Sequence, residues 1–129
     1  MAKGKFITPQ MDININKGDD TFFQVNITGE DGQPVDITGC LFKCKVKESA
    51  TSSNAIFEGK TTIIDAPKGI IEIHFLNADG SKINIDGENF SELTQYTYDI
   101  IMKDKNGYIT RLANGYVFIS PSVTWEEGI

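Results

Sequence analysis

The sequence predicts an all-β fold, an antiparallel immunoglobulin-like β-sandwich of about seven to eight strands with at most one short helical turn. Three observations lead there. Apolar and polar side chains alternate with a period of two along most segments, and clusters of turn formers recur at intervals of about ten residues. No stretch of roughly 11 to 18 residues carries helical periodicity, and the best candidate, GENFSEL, brings only Phe90 and Leu93 together over one turn.

Each strand is justified locally. MDININ sets Met11, Ile13 and Ile15 against Asp12, Asn14 and Asn16, then stops at the turn formers of KGDD. TFFQVNIT places Phe23, Val25 and Ile27 on one face before GEDGQP, with two glycines and a proline, breaks it. The third strand lies in GCLFKCKVKES, where Phe42, Cys44 and Val46 share one parity and Lys43, Lys45 and Lys47 the other. A weaker fourth strand runs through IFEGKTTIID, and APKG turns the chain into GIIEIHFL, with Ile71, Ile73 and Phe75 inward and Glu72 and His74 outward. TQYTYDIIMK carries Tyr96, Tyr98, Ile100 and Met102 on one face. DKNG then supplies an Asn-Gly hairpin turn, and YITRLANGYVFIS returns as the last strand. Its ANG interrupts the alternation, which predicts a bulge at Gly115, where glycine can take backbone angles closed to other residues. The predicted core is therefore Phe23, Val25, Ile27, Phe42, Cys44, Val46, Ile71, Ile73, Phe75, Tyr96, Tyr98 and Ile100. Tyr96 is also a candidate for a tyrosine corner, its hydroxyl tying the preceding connection to the strand.

The 129 residues are expected to form one domain, residues 11–119, between an amino-terminal extension of residues 1–10 and a carboxy-terminal tail of residues 120–129. No apolar run approaches the roughly 18 residues of a membrane helix. MAKGKFITPQ has two lysines but no apolar stretch behind them, so synthesis in the cytoplasm and no membrane partner are expected. On an extended strand Cys40 and Cys44 point the same way but lie roughly 13 Å apart. A disulfide needs about 7 Å or less between Cα atoms, so two thiols in a reducing compartment are expected.

Most reactive chemistry finds no residues to carry it. A formal charge of −6 weighs against nucleic acid, whose phosphates need clustered cations. The row Lys43, Lys45, Lys47 is the one basic stripe, read as a solvated face or an edge guard, with an anionic partner surface as the alternative. His74 is the single histidine, set outward on its strand, which suits a surface or interface position better than catalysis. Zinc is excluded by the cysteine spacing, and NADGSKINIDGE puts Ile83 where a calcium loop needs a ligand. No catalytic residue, cofactor or metal site is predicted. Asn26-Ile27-Thr28 and Asn89-Phe90-Ser91 match the glycosylation triplet by coincidence in an asparagine-rich chain. What remains is contact chemistry. Trp125, near one end, and Phe6 and Ile7, near the other, are the predicted interface residues, because tryptophan brings large apolar area and a donor to interface centres.

Three stretches carry a family resemblance: KGDDTFFQVNITGEDGQPVDITGCLFKCKVKES, IIDAPKGIIEIHFL and LTQYTYDIIMKDKNGYITRLANGYVFISPSVT. Together they resemble the amino-terminal immunoglobulin-like domain of bacteriophage baseplate upper proteins and related tail and collar proteins. The family pattern D-G-x-P-V-D-L-T-G is met by Asp31, Gly32, Pro34, Val35, Asp36, Ile37, Thr38 and Gly39, with Ile37 where leucine is commoner. Later elements correspond to Tyr96 through Ile100 and to Gly115 through Ile119. The resemblance implies a non-catalytic structural component of a phage particle, in tail, baseplate, collar or head surface. It would dock other virion subunits, self-associate as a homo-oligomer, and reside in the virion after synthesis in the host cytoplasm. The alternative is a carbohydrate-binding or host-adhesion module in which Tyr108, Tyr116 or Trp125 stacks on sugar rings.

Overall fold

The computed structural model describes residues 10–76, 89 and 91–121. Seven strands are present: β1 (Ile13–Asn16), β2 (Thr21–Asn26), β3 (Leu41–Lys47), β4 (Phe57–Asp65), β5 (Ile70–Phe75), β6 (Thr94–Lys103) and β7 (Ile109–Ser120). They form one sheet in the order β1-β7-β6-β3-β4-β5-β2, which curls nearly into a barrel around a shared core. No helix occurs among the described residues, and the last part of GENFSEL is a turn in which the Glu92 amide donates to the Asn89 carbonyl.

The sheet is mixed, which corrects the expectation of a wholly antiparallel one. β1 runs parallel to β7, with Ile13 opposite Val117 and Ile15 opposite Ile119. Parallel neighbours cannot be joined by a tight turn, and here the whole domain is the connection between them. Nothing local in MDININ could signal such a partner. The other pairings between strands are antiparallel, and the isolated bridge of Gln10 to Asn114 continues the parallel edge.

The weak alternation of β4 also has a cause. Phe57, Glu58 and Gly59 pair with β3, whereas Lys60 to Asp65 pair with β5. The strand changes partners after Gly59 but keeps one inward parity, with Phe57, Gly59, Thr61 and Ile63 opposite the buried Val46, Cys44, Ile73 and Ile71. The pattern is weak because Gly59 and Thr61 hold two of those positions. A register shift between Ile63 and Asp65 then turns Ile64 outward.

Alternation places the rest. Ile27, Cys44, Val46, Ile71, Ile73, Phe75, Tyr96, Tyr98 and Ile100 are buried, and Phe23, Val25 and Phe42 are half-buried against them. Phe75 anchors the aromatic part, edge-on to Phe57 at 5.5 Å and tilted to Phe23 at 5.9 Å. Ile15, Ile37, Cys40, Phe57, Met102, Leu112, Ala113, Val117 and Ile119 complete the core.

Two turn expectations are corrected. The bulge in β7 falls at Leu112, between Arg111 opposite Ile101 and Ala113 opposite Ile100, so consecutive residues Leu112 and Ala113 both face inward. Gly115 has no positive φ; its lack of a side chain makes room for the Met11 carbonyl, which lies 2.2 Å from where a Cβ would stand. In the β6–β7 turn Gly107 has φ 90°, whereas Asn106 stays at negative φ, so the Asn-Gly pair does not form a two-residue type I′ turn. Asp104 organises a wider loop, its Oδ1 accepting from the amides of Asn106 (2.9 Å) and Tyr108 (3.0 Å).

Candidate interface

The lysine row of β3 defines an outward sheet face. Lys43 stands opposite Ile101, Lys45 opposite Asp99 and Lys47 opposite Thr97 on β6. Ile101 stands opposite Arg111 and Asp99 opposite Asn114 on β7. Residues directly opposite share a face, so three strands present one continuous surface. The β3–β4 turn, with Ser49 and Ala50, rims an open groove of 390 Å³ over these residues. The alternation that buries Cys44 and Val46 is what turns the lysines out.

A second open groove, of 510 Å³, lies where β1 meets β7, between Asn14, Leu93, Phe118 and Pro121. At the opposite end of β7, Leu41, Tyr108 and Ile109 are more than half exposed, with Leu41 and Ile109 flanking Lys103 in register.

The family-pattern residues Asp31 to Gly39 build a loop end rather than a reactive site. The Asp36 carboxylate accepts from the Thr38 hydroxyl at 2.6 Å and its amide at 2.9 Å, and these bonds hold its pKa below the ordinary value. Ile37 is fully buried, its amide donating to the Ala66 carbonyl at 3.0 Å. The turn before it is closed by the Asp31 carboxylate, which accepts from the Gln33 amide at 3.0 Å.

His74 lies on the outer face of β5, its ring stacked on Phe22 at 3.7 Å and its Nε2 3.4 Å from Asp20 Oδ1. Both cysteines are free and buried, and burial pushes the Cys44 thiol up to about 12. Desolvation likewise pushes the Tyr98 hydroxyl up to about 12, and that hydroxyl donates to the Met11 carbonyl. This bond, two residues along from Tyr96, ties β6 to the amino-terminal segment. Periodicity could not reveal it, because the partner is 87 residues away.

Among the described residues no group of three or more His, Cys, Asp or Glu is placed to hold a metal ion. NADGSKINIDGE and the predicted interface residues Phe6, Ile7 and Trp125 lie outside the described residues. Tyr108 and Tyr116 are both exposed, but eight residues of strand separate them by roughly 25 Å, too far to grip one sugar ring together. No described helix is long and apolar enough to cross a membrane.

These features define a small all-β domain whose described polar groups are spread over open faces and turns. The chain belongs to the BppU N-terminal domain family, the amino-terminal domain of phage baseplate upper proteins, which it matches over residues 5–107. No curated protein matches it. Among solved structures it is similar to CopC from Methylosinus trichosporium OB3b, at 10% identity, covering 89% of each chain with a TM-score of 0.43. It is also similar to murine CRIg, at 12% identity, covering 92% of this chain and 98% of that one with a TM-score of 0.38.

Proposed function

We propose that the chain is a non-catalytic structural component of the bacteriophage particle, working as a protein–protein docking module between virion subunits. Membership of the baseplate family over residues 5–107 is the observation that carries this reading. A broad outward sheet face with a groove over it, and a second open groove where β1 meets the end of β7, support it, since contact surfaces of this kind serve docking. The fold is read as an immunoglobulin-like sandwich. The handover in β4 supports this, with β1, β7, β6, β3 and Phe57–Gly59 as one layer and the rest of β4, β5 and β2 as the other.

Residues 11–119 are taken as the domain body, and Phe6, Ile7 and Trp125 in the flanking segments as further contact residues in a homo-oligomer. Mass spectrometry of purified particles tests the reading: peptides of this chain at stoichiometric level, and its seven-stranded body in the particle's density, are expected. Particles that lack the chain would refute it. Trp125→Ala should reduce incorporation into particles while leaving the melting temperature of the isolated chain within about 1 °C.

A further inference from the structure

Charge is segregated in this domain. The outer face of β3, β6 and β7 carries Lys43, Lys45, Lys47, Lys103 and Arg111. Among the described residues of these strands and the paired part of β4, Glu58, opposite Lys45, and Asp99 are the acidic side chains on this face, a surplus of three positive charges on a chain whose formal charge is −6.

The loop end of the domain is the complement. Its three connections are packed together: the Val35 amide donates to the Ile27 carbonyl, the Ile27 amide to Gly69 and the Ile37 amide to Ala66, each at 2.7–3.0 Å. Gly39 abuts Lys105, so the β6–β7 turn joins the same end. Among the described residues of these connections, Glu30, Asp31, Asp36, Asp65 and Asp104 sit there with Lys68 and Lys105, a surplus of three negative charges. The same end exposes Tyr108, 60% accessible, at its tip.

We infer that the cationic β3-β6-β7 face of one copy docks the acidic loop end of a second copy of this chain, a head-to-side contact. The inference rests on the docking reading above and names the surface and its partner. Equal and opposite surpluses provide the complementarity, and the 390 Å³ groove between the lysines and Asn114 offers a seat for the tyrosine tip. Because the two patches differ, the contact is heterologous, and it repeats from copy to copy into a ring or an open array.

Sedimentation velocity on the whole chain tests this at salt concentrations of about 0.01 M and about 1 M, where charges are screened beyond ~30 Å and ~3 Å respectively. Self-association is expected at low salt, with a Kd at least about tenfold weaker at high salt. A face-reversed variant, Lys43→Glu with Lys45→Glu and Lys47→Glu, should be monomeric at low salt. So should an end-reversed variant, Glu30→Lys with Asp31→Lys. An equimolar mixture of the two should associate again, because the acidic end of the first meets the intact face of the second. If the triple variant fails to fold, Lys43→Glu alone, at an exposed position, should weaken association about threefold or more.

A wild-type chain that stays monomeric to about 1 mM at low salt would overturn the inference. Association that survives both reversals, or a mixture that stays monomeric, would do the same. A monomeric wild-type chain that is nevertheless a component of purified particles overturns only the self-contact. Its absence from particles overturns the docking reading itself.

Discussion

Replacing Gly115 by alanine tests how the amino-terminal segment is sealed to the domain. A Cβ there would stand 2.2 Å from the Met11 carbonyl oxygen, 2.8 Å from its carbon and 3.1 Å from Asp12 Oδ1. A backbone carbonyl must then retreat by about 1 Å to reach ordinary contact distance. Three hydrogen bonds depend on its position. The Met11 amide donates to Asn114 O at 2.9 Å, the Tyr116 amide to Asp12 Oδ1 at 3.1 Å, and the Tyr98 hydroxyl to Met11 O. At about 1 kcal/mol each, their loss costs about 3 kcal/mol, a large share of a total stability of roughly 5–15 kcal/mol. In a urea titration with a slope near 2 kcal/mol per M, the midpoint should fall by about 1.5 M. Tyr98→Phe removes the hydroxyl alone and should cost about 1–2 kcal/mol. The double variant should cost clearly less than the sum, because both changes release the same segment. A midpoint shift below about 0.3 M for Gly115→Ala, or strict additivity in the double variant, would refute this account of the seal.

Three further outcomes follow from the core and the loop end. Val46→Asp should abolish folding, since an unpaired carboxylate at a fully buried position costs several kcal/mol; a cooperative melt of soluble protein would contradict the strand parity. With its folded pKa raised from 9.0 to about 12, the Cys44 thiol contributes stability that is complete below pH 9 and lost as pH climbs toward 12. The loss is of order 4 kcal/mol, and Cys44→Ala should flatten this part of the urea-stability profile; an unchanged alkaline slope would exclude the thiol as its source. Asp36 has the opposite sign: its pKa is lowered from 3.8, so its contribution is present above that value and lost as pH falls through the folded value. Asp36→Asn should remove that acid-side dependence, read from stability between pH 5 and 2, and a slope identical to wild type would show that the Thr38 bonds do not stabilise the loop.

How much was legible in the sequence depended on the range of the interaction. Phe42, Cys44 and Val46 against Lys43, Lys45 and Lys47 announced both the inward face and the outward cationic one, because side-chain direction in a strand alternates residue by residue. β4 was faint because two of its inward positions, Gly59 and Thr61, carry no large apolar side chain. Gly115 was marked as special, but for its backbone angle rather than for the carbonyl resting on it. The Asn106-Gly107 turn was placed correctly and shaped wrongly, since Asp104 satisfies two amides and widens the loop.

The order of hydrophobic and polar residues along the chain was by itself enough to decide an all-β domain, the burial of Cys44, Val46, Ile71 and Ile100, and the outward lysine stripe. Alternation is local chemistry repeated. Folding in three dimensions decided which strands became neighbours, that β1 lies parallel to β7, and that acidic loops from three separate connections gather at one end. Those outcomes depend on contacts between residues far apart in the chain, such as Tyr98 and Met11, whose free energy exists only once the sheet has curled round its core.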